Sequence, residues 1–316
     1  MLDIDTFLTT LYTAVDDFCL QSPFPEPSRT GPAPSLSRSE VVTLAIFGQL
    51  ARFSSERDFF RFAQSRLTHL FPTLPDRSQF NRLQIRHETA IRAFGLHQAH
   101  TLANRDVPAY ECLDRVGVQT RWSGRRGVGW VDDYADKGTC SRLGWFHGFS
   151  LLTAVSDAGY LTGWAFGPAS ISDQPAADAF LRARHAQNTR LPSVGLTVGG
   201  GYYLLDKGFT GAKWHARWRE ELGVLPICAP QKVNKDNPGR AAWPKPWRIW
   251  LSSLRQIIET VHEKLLNFCR LHSERPHDLA GFTARLSAKA ALHNFCFWIN
   301  KQIGREGLEF AELIAW

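Results

Sequence analysis

Three acidic residues, far apart along the chain, stand in settings that could do chemistry together. Asp114 closes the run Tyr110-Glu-Cys-Leu-Asp114, Asp206 closes Tyr203-Leu-Leu-Asp206, and Glu259 lies inside Arg255-Gln-Ile-Ile-Glu259-Thr-Val-His262. The first two runs are short and apolar, so each reads as a strand ending on a carboxylate, and the third carries a helical period. Phosphodiester cleavage by two metal ions needs oxygen ligands from separate elements that hold the cations roughly 3.5 to 4 Å apart. The order Asp, Asp, Glu suggests that chemistry, with nucleic acid as the substrate. Arg255, Glu259 and His262 recur at i, i+4 and i+7 on one helical stripe, which puts Arg255 and His262 forward as phosphate or DNA contacts. Glu263 is the rival third ligand, on an adjacent face.

Composition fits a polyanionic partner. The 316 residues carry 37 Lys and Arg against 30 Asp and Glu, a net charge of +7, which favours nucleic acid without identifying it. Six cysteines are scattered with no Cys-x-x-Cys pair, so neither a disulfide framework nor a zinc site is indicated and reduced, cytosolic packing residues are expected. The first residues are acidic, and no apolar run approaches the roughly 18 residues of a membrane span. A protein neither exported nor membrane-embedded is expected.

The elements that must position the carboxylates follow from periodicity. Helices are expected over 3–21, from the capping box Ser37-Arg-Ser-Glu40 to about Phe53, over 55–67, and over 78–104 with Ser78 as N-cap. A Pro-rich linker covers 22–36. This all-α region, residues 1–104, carries Arg77, Arg82 and Arg86 as candidate DNA contacts on basic helix faces. From 108 the period becomes strand-like: Tyr110–Asp114, His147–Val155 and Tyr160–Phe166, the last two joined by the hairpin turn Ser156-Asp157-Ala158-Gly159. A helix over Asp173–Gln187 capped by Asp173, a strand at Tyr202–Asp206, a helix over Gly211–Leu222 and a strand at Val224–Cys228 complete five strands. This succession predicts an α/β fold of the ribonuclease-H-like kind, a mixed five-stranded sheet flanked by helices, over 105–303, with 304–316 as a tail. Residues 230–250, rich in basic residues and Trp, read as a DNA-facing loop, and helices are expected over Leu251–His272 and Leu279–Ile303.

In such a sheet the first and fourth strands are neighbours, which would bring Asp114 and Asp206 side by side, with a crossing helix lowering Glu259 onto them. Basic residues frame that cleft: Arg115, Arg121, Arg125 and Arg126 after the first Asp, Lys207 beside the second, and Lys232, Lys235, Arg240, Lys245 and Arg248 ahead of the Glu. Asp132, Asp133 and Asp136 read as solvated loop carboxylates, and His147 as a packed or cleft-lining residue.

Ser78-Gln-Phe-Asn-Arg82, Leu113-Asp114-Arg-Val-Gly-Val, Phe146-His-Gly-Phe149, Gly167-Pro-Ala-Ser-Ile-Ser-Asp173, Leu205-Asp206-Lys-Gly-Phe209 and Arg255-Gln-Ile-Ile-Glu259-Thr-Val together resemble the insertion-sequence transposases of the Asp-Asp-Glu class, most closely the insertion-sequence 982 type. The resemblance covers roughly residues 36–300. It implies that Asp114, Asp206 and Glu259 are the catalytic triad and bind two Mg²⁺ or Mn²⁺. It also implies cleavage at transposon ends and strand transfer into target DNA by a homodimer on terminal inverted repeats, in a bacterial, nucleoid-associated setting, without membrane or small-molecule cofactor. The Lys or Arg that many relatives carry beyond the Glu is absent at that spacing, where Leu266 stands. Two readings stay open beside this one: a ribonuclease-H-like nuclease or junction resolvase without strand transfer, and an inactive derivative that only binds DNA.

Overall fold

The computed structural model describes residues 1–21, 34–121, 129, 131–185, 201–230 and 243–316. These divide into two compact units, one of Met1–Gln98 with Lys264–Trp316, the other of Ala99–Glu263. The long last helix, expected within the second region, groups with the N-terminal helices.

In the first unit, α1 (Ile4–Gln21) buries Phe7, Leu8, Leu11, Val15 and Phe18, the face its spacing predicts. The capping box is present: Ser37 accepts from the Glu40 amide, and the Glu40 carboxylate accepts from the Ser37 amide at 2.7 Å. It opens α2 (Arg38–Phe47), which stops six residues before the expected Phe53. After α3 (Glu56–Arg66), the single helix expected over 78–104 is two, α4 (Arg77–Arg86) and α5 (Glu88–Arg105), parted at His87; Asp76, not Ser78, is the cap, accepting from Gln79 N at 2.9 Å. An Asp two positions earlier competes for the same orphan amides and wins. The helix α9 (Leu279–Gln302) is buried on almost every side and packs against α2 and α4. The unit is not purely helical. A two-residue strand β1 (Leu2–Asp3) pairs in parallel with β8 (Ile314–Ala315), and the expected C-terminal tail buries Phe310 and Leu313.

The buried face of α9 holds a charge network. Lys289, with no exposed side-chain surface, donates to Gln49 Oε1 at 2.9 Å and Cys269 O at 2.8 Å and lies 3.0 Å from Glu274, whose other oxygen is 3.0 Å from Arg285 Nε. Burial alone would raise the Glu274 pKa, but Lys289 and Arg285 hold it at about 2.

The second unit is a mixed α/β layer. Its sheet holds β2 (Glu111–Arg121), β3 (Asp136–Cys140), β4 (Gly144–Ser156), β5 (Leu161–Pro168), β6 (Tyr202–Leu205) and β7 (Leu225–Cys228), in the order β3-β4-β2-β6-β7 with β5 also on β4. β2 runs antiparallel to β4 and parallel to β6; β6 and β7 are parallel. This mixed sheet with its helices fits the expected ribonuclease-H-like class, with six strands rather than five. The addition is β3, whose Asp-Lys-Gly-Thr-Cys sequence has no apolar alternation. It forms because β4 is long enough to pair with β5 over Phe149–Val155 and still offer Gly144–Gly148. The hairpin turn is as expected, with Gly159 at φ +103.

Helices α6 (Asp173–His185) and α7 (Ala212–Leu222) cover one face of the sheet, where Leu113, Tyr203 and Leu205 pack against Phe180, Leu181 and Trp218. The last helix of the unit, α8 (Lys245–Glu263), begins inside the stretch expected to be a loop, so Lys245, Trp247, Arg248 and Trp250 are helical. Among the described residues no helix is long and apolar enough to cross a membrane.

Removing Lys289 leaves Glu274 buried with one cation where it had two. Lys289→Ala is expected to lower unfolding free energy by about 3 kcal/mol, read by denaturant unfolding, and the double variant Lys289→Met/Glu274→Gln to recover part of that loss; a Lys289→Ala change below measurement error would contradict the assignment.

Candidate active site

Asp114 and Asp206 are brought together by strand register. β2 and β6 pair Glu111 with Tyr203, Cys112 with Leu204 and Leu113 with Leu205, so the next step of the same parallel ladder sets Asp114 beside Asp206. Partners across a ladder point to the same face. Leu113 and Leu205 take the α6–α7 side, which turns both aspartates toward α8; Cys112, of the same parity, points its Sγ at Leu254 O, 3.8 Å away. Asp114 does not end its strand as expected but is the fourth residue of eleven in β2, while Asp206 is the first residue beyond β6.

From α8, Arg255 reaches both. Its Nη2 donates to Asp114 Oδ2 at 2.7 Å and its Nη1 to Asp206 Oδ1 at 3.4 Å. The Arg115 amide donates to the other Asp114 oxygen at 2.7 Å. The Asp114 side chain is 24% exposed and that of Asp206 54%. Desolvation pushes the Asp114 pKa up to about 6 against the opposing pull of Arg255 and the Arg115 amide, with Asp206 and Asp173 adding repulsion. Glu259 is exposed one turn beyond Arg255 and lines an open groove on α8 with Lys245, Arg248, Ser252 and Gln256. Glu263 is exposed as well.

Beneath the two aspartates lies a pair that sequence reasoning missed. Asp173, expected to be a helix cap, forms an ion pair with Arg115 Nη2, and Arg115 Nη1 donates to Ile171 O. A Cβ added at Gly208, two residues past Asp206, would run into the Asp173 carboxylate. The turn that carries Asp206 therefore closes over Asp173 only because residue 208 has no side chain. The signal available in the sequence was the pairing of Ser-Ile-Ser-Asp173 with Asp206-Lys-Gly, which spacing alone does not connect.

A family model described as a transposase DDE domain matches residues 112–295, more than half of the chain, and that span holds all three acidic residues. The chain belongs to the transposase DDE domain family. No curated protein and no solved structure shows a significant match. Membership supports a transposase function and implies a DNA substrate and divalent cations. Asp114 and Asp206 suit such cations: two hard oxygen donors already converge on one positive group, the Arg255 guanidinium. Among the described residues, no three His, Cys, Asp or Glu side chains stand close enough to hold a metal as they are, so Glu259 does not yet join the pair.

The structure sorts the basic residues expected on DNA. Arg77, Arg82 and Arg86 are exposed on α4, and Lys207, Lys245 and Arg248 are exposed in the transposase domain. Arg115 is committed to Asp173, and Arg121 lies 3.2 Å from Asp132. Asp132 is correspondingly no solvated loop carboxylate; it also accepts from Gly129 N at 2.5 Å and is 3.7 Å from His147. His262, expected on the DNA-facing stripe, is buried, with Nε2 2.8 Å from Thr153 Oγ1 on β4. Arg125, Arg126, Lys232, Lys235, Arg240 and most of the Pro-rich linker lie outside the described residues. Trp243 packs on Trp247 with ring centroids 5.9 Å apart, while Trp247 and Trp250 stay exposed.

Burial, with repulsion from Arg255 and Arg142, lowers the His262 pKa from 6.5 to about 4. Above pH 6.5 the ring is neutral folded or unfolded; as pH falls toward 4 only the unfolded chain gains the proton, so stability is lost across that window. At pH 5 this residue is expected to cost about 2 kcal/mol. His262→Gln, which can still bond Thr153, should flatten the fall of melting temperature between pH 6.5 and 4.5; an unchanged slope would contradict the assignment.

Proposed function

We propose that the chain is an insertion-sequence transposase that cuts DNA at the ends of its element and joins the resulting 3′-hydroxyl to target DNA, with Asp114, Asp206 and Glu259 as its carboxylate triad. The observation that carries this reading is that Asp114 and Asp206, each the residue after the last pair of the parallel β2–β6 ladder, are both bonded to one cation from α8. Two residues so far apart in sequence meet with their oxygens directed at one point, in a chain of the family. When bound, two Mg²⁺ or Mn²⁺ would activate the attacking oxygen and steady the leaving one.

The chain's own groups supply the rest. Asp114 offers its oxygens from within β2 and Asp206 from the first position beyond β6, so both are anchored by the paired strands while the substrate moves. Glu259, on a helix and exposed, is the ligand free to come in when DNA arrives. Arg255 beside it is the cation for the scissile phosphate, Lys245 and Arg248 line the groove with Glu259 as backbone contacts, and exposed Lys207 next to Asp206 is a further one. Trp247 and Trp250 are exposed on α8 outside that groove, and they are the candidates to stack on unpaired bases at a distorted end. Arg77, Arg82 and Arg86 on α4 form the sequence-reading candidate in the N-terminal region. Two ends must be joined, so the working form is a homodimer on terminal inverted repeats. The motif pattern supports the insertion-sequence 982 type.

The test is incubation of the purified protein with the ends of its element and Mn²⁺, mapping every nick and joint. Divalent-dependent nicks that leave 3′-hydroxyls, followed by joined products, are expected. Asp206→Asn and Glu259→Gln should reduce cutting by at least about 10³-fold while sparing DNA binding. Cutting without joining would assign a nuclease or resolvase, and normal cutting by Glu259→Gln would remove that residue from the triad.

A further inference from the structure

Arg255 presents its guanidinium to the same oxygens that a divalent ion would take. Its Nη2 is 2.7 Å from Asp114 Oδ2 and its Nη1 3.4 Å from Asp206 Oδ1, and its side chain is only 12% exposed. Inner-sphere binding of Mg²⁺ requires carboxylate oxygens at about 2.0–2.1 Å in near-octahedral array. A lone pair already accepting from Arg255 is not free for that, and a guanidinium wedged between two carboxylates excludes a second cation by both volume and charge. The donor inventory of Arg255 is also incomplete. Its Nε is buried and has no hydrogen-bond partner, although a guanidinium offers five N–H groups and a buried one left unmade costs free energy.

We infer that Arg255 is a removable internal counter-ion: it holds Asp114 and Asp206 together and keeps their affinity for divalent ions low until a phosphodiester draws it away. The inference rests on the reading of those aspartates as metal carboxylates and adds the order of assembly. A phosphodiester suits the exchange because its two non-bridging oxygens accept from two N–H groups of one guanidinium, satisfying as many donors as the aspartates do. Leaving Asp114 and Asp206 without a cation would be costly, so Arg255 departs only as a divalent ion takes its place. Two ligands that each favour the same displaced arrangement must help each other bind, by the same factor in either direction. The domain would in this way be poorly charged with metal when free and loaded on its DNA, which suits an enzyme whose idle activity would nick its host. Glu259, one turn beyond on the same helix, travels with this exchange.

The experiment measures Mn²⁺ binding to the full chain by electron paramagnetic resonance, with and without a short duplex, using the wild-type protein, Arg255→Gln and Asp114→Asn. In the absence of DNA, Arg255→Gln is expected to bind Mn²⁺ about tenfold tighter than wild type, within the usual range of coupling between sites. The duplex is expected to tighten Mn²⁺ binding to wild type and to leave Arg255→Gln unchanged. A purely structural role for Arg255 predicts the opposite sign, since losing a structural side chain weakens a site. Affinity no tighter in Arg255→Gln, with Asp114→Asn having lost the ion, would overturn the inference while the metal reading stood. Mn²⁺ affinity unaltered by Asp114→Asn would overturn the metal reading itself. Should Arg255→Gln fail to fold, Arg255→Lys replaces it: a single ammonium cannot fork to both carboxylates, so tighter Mn²⁺ binding is expected and unchanged binding refutes the proposal.

Discussion

Everything at this site depends on the parallel ladder between β2 and β6. Three residue pairs fix it, and the two apolar members of the last pair, Leu113 and Leu205, are held in the core with Tyr203, Phe180 and Trp218. Side chains along a strand alternate in direction, so burying those leucines on one face compels Asp114 and Asp206 onto the other. A slip of one residue in either strand would send an aspartate into the apolar layer. The hydrophobic effect on one face of the sheet thereby sets the position of the acidic pair on the opposite face, and no contact between the aspartates themselves is needed.

That arrangement carries an electrostatic cost. Asp114 is desolvated, and the neighbouring Asp206 carboxylate adds repulsion, which is why its pKa stands at about 6. Arg255 offsets the cost from above. From below, Arg115 serves twice, its amide donating to Asp114 while its guanidinium fixes Asp173 against the Gly208 turn that carries Asp206. The site is a layered alternation of charge: Arg255, then Asp114 with Asp206, then Arg115 with Asp173. Arg255 offsets part of the charge of the two aspartates, Arg115 and Asp173 pair with each other beneath them, and the layer open to the α8 side is the one that a metal ion and a phosphate could exchange.

Much of this was legible in the sequence, for identifiable reasons. The apolar runs leading to Asp114 and Asp206 form strands, although β2 continues seven residues past Asp114 and Asp206 lies just beyond β6; the hairpin at Asp157 is a turn with a mechanism, and the Ser37 capping box is a reciprocal hydrogen-bond pattern. Adjacency of the first and fourth strands followed from the succession of elements. What could not be read was long-range competition. β3 exists because β4 offers a free length of edge, not because Asp-Lys-Gly-Thr-Cys favours a strand. α8 starts at Lys245 because a single amphipathic face continues through Leu251, which outweighs a composition rich in Trp, Pro and Lys. The stripe of Arg255, Glu259 and His262 was correctly helical, yet the sheet divides it: His262 is pressed onto Thr153, Arg255 is drawn to the aspartates, and Glu259 stays outside. Helical spacing says which residues share a face and nothing about how deep each one sits.

The central claim is that Asp114, Asp206 and Glu259 share divalent cations once Arg255 has moved. Anomalous diffraction from crystals of the protein with a DNA end and Mn²⁺ tests this most directly. The account predicts an anomalous peak ligated by Asp114 and Asp206, a Glu259 oxygen within ligand reach, and Arg255 turned to a phosphate. A peak elsewhere, or a Mn²⁺ bound by the two aspartates with Glu259 still directed into solvent, would contradict it.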